Sequence, residues 1–422
     1  MSEKLIIKNF AMFKHIELEP KPITLVIGDN ASGKSLLAKI LYFCRKVPDF
    51  LIELLMREDK GQNTSAFLTK KWTTYIPKEL WGRSEYEIVY ISDNSEPFKI
   101  KDGIVAVDFS SFEIAVDELR NKLKGAIKSG SDRVSDKIEA IFVYSELLKS
   151  YSFISKHQVY IPAGRSYFSQ VNRDAFAYSQ DRNELFDAAT SDFGRYYASL
   201  RRTIQGDEFP LASYDWSEDG GNWTGRSKLL SQQIRALLNG NYEQDADGSE
   251  YIRLSDSQRL PLSIAASSQQ VLAPLLLPLV YGDSGLMYII EEPEAHLFPA
   301  NQRKVIELLI FLFNIAHEDR FEAFITTHSH YVFLVINNLI EAWLTNDSVP
   351  SEEKSKINQL VGEQLALDPK YAGAFQLKNG ELLNLYDPET GLLMATPLDE
   401  VSDELAEQFD RLMDIKYADQ KA

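Results

Sequence analysis

Ile23-Thr24-Leu25-Val26-Ile27-Gly28-Asp29-Asn30-Ala31-Ser32-Gly33-Lys34-Ser35-Leu36 is the stretch on which the reading of this chain turns. Ile23 to Ile27 is apolar and rich in β-branched residues, and it stops at a glycine, which predicts a short buried strand. Ser35 to Phe43 is apolar with good helix formers and predicts a buried helix. Between them lies the spacing G-x4-G-K-S. Strand, glycine loop and helix are the context in which that spacing makes a phosphate-binding P-loop. Backbone N–H groups of the loop and of the helix N-terminus converge on phosphate oxygens. The nucleotide site is therefore assigned to Gly28, Asp29, Asn30, Ala31, Ser32, Gly33, Lys34, Ser35 and Leu36. The two glycines allow the tight turn and the close approach of backbone to phosphate. Lys34 offers a point charge to the β and γ phosphates, and the Ser35 hydroxyl is a ligand for Mg²⁺.

Three further segments carry chemistry. Leu286-Met287-Tyr288-Ile289-Ile290 reads as a second buried strand and runs into Glu291-Glu292-Pro293-Glu294-Ala295-His296-Leu297-Phe298-Pro299. Ligands bind at the carboxyl ends of strands in sheets of this kind. There one carboxylate can hold Mg²⁺ and the other can orient or deprotonate an attacking water. The competing reading is an acidic N-cap for the helix after Pro299. Ala323-Phe324-Ile325-Thr326-Thr327 reads as a third strand, so His328 also sits at a strand end and can face the γ-phosphate, while His330 reads as a surface turn. Leu262 to Gln270 places small hydroxyl residues at the start of an apolar helix, Ser267 to Val280. That helix start is an anion site or an ordinary serine N-cap.

Strands alternating with helices imply a mainly parallel sheet with right-handed crossovers. Around this frame, Tyr86 to Ile91 and Ile104 to Phe109 read as strands. Asp117 to Lys128 and Asp136 to Leu148 read as amphipathic helices. Tyr160 to Arg165 reads as a strand end and turn, and Ser166 to Glu250 as a polar lobe containing the loop Trp216 to Trp223. The tail reads as a hairpin around Lys378-Asn379-Gly380, a turn at Asp387 to Gly391 and an acidic helix, Ser402 to Leu412. The divisions expected are 1–48 for the first part of the ATPase lobe, 49–255 for inserted strands and a largely helical lobe, 256–345 for the second part of the ATPase lobe, and 346–422 for the C-terminal hairpin and helix.

Composition sets limits. The chain has 422 residues, 44% of them hydrophobic and 25% charged, with a formal net charge of −17. That is a globular composition, and it disfavours general binding to a phosphate backbone, which needs clustered Lys and Arg. Cys44 has no second cysteine to pair with, which fits a reducing compartment and a buried structural thiol. Met1 to Phe10 has no long apolar core of a signal peptide. Val271 to Tyr281 is too short for a bilayer and contains Pro274 and Pro278. A cytoplasmic protein without membrane contact is expected.

In their order along the chain, these motifs resemble the ABC-type ATPase heads of the SMC, RecF and OLD-nuclease group. Leu5 to Phe10, then Phe13, resembles the first hairpin of such heads. Glu291 to Pro299 is similar to the OLD-type acidic motif, and Thr327-His328-Ser329 to its switch histidine. The resemblance covers about 1–45 and 255–340. It implies an ATPase with ATP and Mg²⁺, in which Glu291 takes the Walker B position and assists the metal with Ser35. Glu292 would be the catalytic base and His328 the switch residue. Ser267, Ser268 and Gln269 would form the signature motif that completes the site of a second subunit, with His296 in the D-loop at the seam. The usual signature glycine is Ser268 here, and no clear Q-loop exists beyond Gln158 and Arg165. OLD nucleases continue into a Toprim domain. Fewer than a hundred residues follow His328, and the one D-x-D pair, Asp245 and Asp247, lies in a Gly-rich loop. The resemblance therefore implies a head-to-head ATPase acting on a separate effector, a nuclease, in a bacterial anti-phage setting such as a PARIS-, retron- or Septu-type system. Two alternatives stay open. One is a RecF-like clamp holding DNA with Lys70, Lys71, Arg201 and Arg202; the other is a scaffold that binds nucleotide without hydrolysing it.

Overall fold

The computed structural model describes residues 3–56, 63–82, 85–92, 98–106, 158–170, 186–204, 223–282, 286–316, 321–362, 364–394 and 407–413. Its strands are β1 (Glu3–Phe10), β2 (Phe13–Leu18), β3 (Ile23–Ile27), β4 (Glu87–Ser92), β5 (Phe98–Lys101), β6 (Ile104–Ala106), β7 (Gln158–Ile161), β8 (Asn241–Gln244), β9 (Glu250–Ser255), β10 (Gln258–Pro261), β11 (Leu286–Glu291), β12 (Phe321–Thr327), β13 (Ala372–Lys378) and β14 (Glu381–Asn384). The helices are α1 (Lys34–Met56), α2 (Thr64–Tyr75), α3 (Ala188–Thr203), α4 (Trp223–Leu238), α5 (Ser267–Tyr281), α6 (Pro299–Ile315), α7 (His330–Ser348) and α8 (Ser351–Val361).

The main sheet has the order β6-β5-β4-β1-β2-β14-β13-β3-β12-β11-β7. Five neighbours, β13, β3, β12, β11 and β7, are parallel. Every residue of β3 and of β11 is buried, the signature of parallel strands covered on both faces. The expected parallel sheet is thus found in this half. The other half is an antiparallel wing, because β1, β2, β4, β5 and β6 are joined as hairpins and meanders. The strands read from Tyr86 to Ile91 and from Ile104 belong to this wing as β4, which lies between β5 and β1, and β6, which is its outer edge.

Alternation in β3 assigns the two faces. Val26 packs with Leu37, Ile40, Leu41 and Phe43 of α1, and with Trp72 of α2. Ile23, Leu25 and Ile27 pack with Val271 and Leu275 of α5, and with residues of α6 and α7. Cys44 lies within the first of these cores, where burial pushes its thiol up and makes it a poor nucleophile.

The polar stretch before residue 262 contains a second sheet, β10-β9-β8, absent from the sequence reading. Its faces differ. Tyr242 and Ile252 are buried in the core, whereas Glu243, Arg253 and Arg259 pair with each other on the other side. The helices expected at Asp117 to Lys128 and Asp136 to Leu148 lie outside the described residues, as do most of Trp216 to Trp223 and of Ser402 to Leu412; 407–413 is helical. No helix of the described residues is long and apolar enough to cross a membrane.

Candidate nucleotide site

The strand ends bring the quoted segments together. Ile27 pairs with Thr327, and Glu291 with Thr326. The P-loop, the acidic loop and the His328 loop therefore leave the sheet side by side at its carboxyl edge.

Sequence dictates the shape of the P-loop. Gly33 has φ +103°, which L side chains rarely adopt, and a Cβ there would meet the Phe13 ring at 2.8 Å. A Cβ on Gly28 would meet the Leu377 carbonyl of β13 at 2.5 Å. Both glycines are required by backbone conformation or close approach. Lys34, the first residue of α1, is buried, and its Nζ donates to the carbonyls of Gly28 and Asp29 at 2.8 Å each. Burial lowers its pKa, partly offset by the carboxylates of Glu292, Asp29, Glu294 and Glu291. Ser35 is exposed beside it.

Lys34 Nζ also lies 3.2 Å from His328 Nδ1, and His328 Nε2 lies 3.1 Å from Glu292 Oε1. An ammonium has donors only, so Nδ1 must accept from it. The remaining ring proton is then on Nε2 and is donated to the Glu292 carboxylate. One line of hydrogen bonds thus runs Lys34, His328, Glu292 across three separate chain segments. Glu292 has φ +44° and is pinned by its N–H to the Thr326 carbonyl at 2.8 Å. Such a backbone costs about 1–3 kcal/mol and occurs preferentially at functional sites.

Glu291 is buried on the α1 side of β11. Its Oε2 accepts from the Ala163 N–H at 3.2 Å, while Oε1 is buried with no hydrogen-bond partner among the described residues. A buried carboxylate on the face of the sheet that carries Ser35, with the Tyr160 hydroxyl as its neighbour, fits a Mg²⁺ site: hard oxygen donors, few of them from protein. Tyr160 stands beside it, its phenol raised well above normal by burial and then by the Glu291 charge.

Arg165 is fully buried and makes no hydrogen bond to the P-loop among the described residues. It donates to the carbonyls of Val271 (3.0 Å), Glu291 (2.9 Å), Glu292 (3.0 Å) and Pro293 (3.2 Å), tying the acidic loop to α5. Desolvation brings it down to about 10, still protonated at neutral pH. Gln158 lies at the start of β7 and donates to the Tyr42 carbonyl at 2.8 Å. As a Q-loop, Gln158 is at the wrong end of its strand, and Arg165 is a clamp on the backbone.

At the start of α5, Ser267 is exposed, and Ser268 half-buried. Gln269 is placed otherwise than expected. It is buried, its Oε1 accepts from Ala266 N at 3.1 Å and its Nε2 donates to the Leu238 carbonyl at 2.7 Å, so both ends serve its own chain. Among the described residues no hydrogen bond links Ser267 or Ser268 to the P-loop. His296 is exposed with φ +59°, and Phe298, the N-cap residue of α6, is 78% exposed, so no acidic residue caps that helix. His330 opens α7 instead of lying in a turn. Of the proposed DNA-binding side chains, Arg201 is buried against Glu250 at 2.8 Å and Lys71 pairs with Glu53. Asp245 pairs with Arg259, and Asp247 takes the Ser249 N–H, as in a solvated turn.

Sequence reasoning gave no role to Glu294. Its Oε1 accepts from Thr327 Oγ1 at 2.5 Å and from the His328 N–H at 2.9 Å. The only signal available was a third acid in the motif; its partners lie 33 and 34 residues away.

The geometry is that of a P-loop ATPase fold, α/β with parallel strands feeding one phosphate-facing edge. Residues 186–333 match the family model described as AAA ATPase domain, which spans α3 to the first turn of α7 and is less than half the chain. Among solved structures, an SMC head bound to the C-winged helix domain of ScpA is 10% identical, covering 91% of this chain and 96% of that one, with a TM-score of 0.37. The SMC head domain from Thermotoga maritima is 12% identical, covering 91% and 97%, with a TM-score of 0.32. The Pyrococcus furiosus Smc head with an extended coiled coil, bound to the C-terminal domain of ScpA, is 11% identical, covering 96% and 99%, with a TM-score of 0.35. At these scores the overlays are loose. No curated protein matches the chain.

Proposed function

We propose that this chain binds and slowly hydrolyses ATP. The observation that carries the reading is the Lys34, His328, Glu292 line, with spacings of 3.2 and 3.1 Å, at the carboxyl ends of three adjacent parallel strands. Lys34 would hold the β and γ phosphates. Glu292, held by a strained backbone, would orient and deprotonate the attacking water. His328, donating from Nε2, would fix the Glu292 carboxylate and face the γ-phosphate. Bound Mg²⁺, held by Ser35 and Glu291, would supply charge neutralisation on the phosphates.

We further propose that two copies meet head to head, each offering Ser267 and Ser268 to the other's phosphates. Both serines lie near a helix N-terminus, a ready anion site. Gln269 would act behind them by bracing that turn. Ile264, Phe298 and Tyr331 flank the site and are 71%, 78% and 53% exposed, the kind of apolar surface an interface covers. Control of a separate effector in anti-phage defence, in the cytoplasm, is the cellular role proposed from the motif resemblance. Internal pairing of Arg201 and Lys71 weighs against the DNA-clamp alternative.

Titration with a fluorescent ATP analogue and Mg²⁺ tests the first step. Wild-type protein is expected to bind saturably and Lys34→Ala to show no saturable binding. Equal affinity for both would overturn the site.

A further inference from the structure

We propose that Glu294 is a positioning residue for His328, acting through a closed ring of hydrogen bonds that locks the acidic loop to the His328 loop; this rests on the reading of the site as an ATPase. Thr327 Oγ1 and His328 N both donate to Glu294 Oε1. Ser329 N donates to Thr327 Oγ1 at 2.9 Å, and Ser329 Oγ donates to Gln302 Oε1 at 2.5 Å. Gln302 Nε2 donates to the Leu297 carbonyl at 2.9 Å, and Leu297 N returns to the Glu294 carbonyl at 2.9 Å. The ring is complete: 294, 327, 329, 302, 297 and back to 294.

Each member has its proton direction settled. A hydroxyl has one proton, and Thr327 gives its proton to Glu294, so it can only accept from Ser329 N. Ser329 likewise gives its proton to Gln302 and accepts from Tyr331 N and Val332 N as the N-cap of α7. Glu294 touches neither Lys34 nor Glu292 by hydrogen bond among the described contacts. What it fixes is the backbone of His328 and, through it, the ring that bridges those two residues. A carboxylate does this better than a neutral acceptor, since charged acceptors make shorter and stronger hydrogen bonds. Its Oε2 is buried without a partner among the described residues, an unfavourable placement that a purely space-filling residue would not require.

The test measures ATP turnover and the His328 ring nitrogens by ¹⁵N NMR, assigned through His328→Ala. Glu294→Ala and Thr327→Val are expected to lower kcat at least tenfold with KM within about twofold, and to lose the Nε2–H tautomer. Glu294→Gln and Thr327→Ser keep the acceptor or hydroxyl and are expected to restore most of kcat and the tautomer. Placed on His328→Ala, Glu294→Ala should add nothing. Losses that add to those of His328→Ala, or a Gln variant as impaired as Ala, would overturn the proposal. If wild-type protein shows no turnover, the ATPase reading fails, and the ring spectrum alone decides this one: a tautomer unchanged in both Glu294→Ala and Thr327→Val sinks it.

Discussion

At the residue scale, Gly33 shows how little freedom the phosphate loop has. Its φ of +103° and the Phe13 ring 2.8 Å from a would-be Cβ leave no room for a side chain. Gly33→Ala is expected to cost about 1–3 kcal/mol of backbone strain. Because the strained peptide is part of the cradle, ATP affinity should fall at least tenfold, measured by the same titration that tests Lys34→Ala. The P-loop was legible because its pattern is local: the consecutive residues Gly28 to Leu36 carry the loop and the start of α1 to which the nucleotide is assigned. Glu294 was not, because its partners depend on the registers of β11 and β12 and on a loop that turns back toward β12. Gln269 shows the converse. Its position in the motif suggested a ligand contact, while burial next to Leu238 gave its amide two backbone partners first.

At the element scale, continuous apolar runs reported the buried strands β3, β11 and β12 faithfully, since parallel strands covered on both faces have no polar side to confuse the pattern. The sheet β8-β9-β10 escaped because its outer face is a ladder of Glu243, Arg253, Arg259 and Asp245, which reads as loop chemistry. Helix α1 runs on through Pro48 to Met56, well past the apolar run ending at Phe43. Its exposed-looking polar residues are used. Lys39 pairs with Asp187 at 3.1 Å, and Lys46 and Tyr42 both reach Asp192 at 3.0 Å, where Tyr75 joins them. This seam joins the P-loop helix to α3. Burial acts to raise the Asp192 carboxyl, but Lys46 and the Tyr75 hydrogen bond outweigh it and hold it below its ordinary value. A lowered carboxylate pKa contributes stability above the unfolded value that is lost as pH falls through the folded one. The thermal midpoint should therefore fall as pH drops below the ordinary aspartate range, and Asp192→Asn should lessen that fall. At neutral pH the same variant should be less stable by about 1–3 kcal/mol, the scale of losing hydrogen bonds to a charged group that is only partly buried. A pH profile parallel to the wild type would contradict the seam.

At the scale of the whole molecule, one sheet carries two functions of shape. Its parallel half delivers Lys34, Glu291, Glu292 and His328 to one edge, and its antiparallel half braces the P-loop from the side through Phe13. The serines at the start of α5 make no hydrogen bond to their own P-loop among the described residues, and the proposed composite site would have them serve the edge of a second copy. Glu292→Gln with ATP and Mg²⁺ is expected to shift to twice the monomer mass in light scattering, and Ser268→Arg, which adds bulk and charge at the seam, to stay monomeric. A Glu292→Gln protein that remains monomeric at saturating ATP would contradict the head-to-head arrangement without touching the assignment of the P-loop.

The central claim is that Glu292, aligned by His328 and Lys34, activates water against bound ATP. Turnover of radiolabelled ATP by wild-type and Glu292→Gln protein tests it most directly. General-base catalysis of this kind contributes about 10²–10⁴-fold, so the account predicts a loss of at least about 100-fold with ATP binding retained. Equal turnover by the two proteins would contradict it.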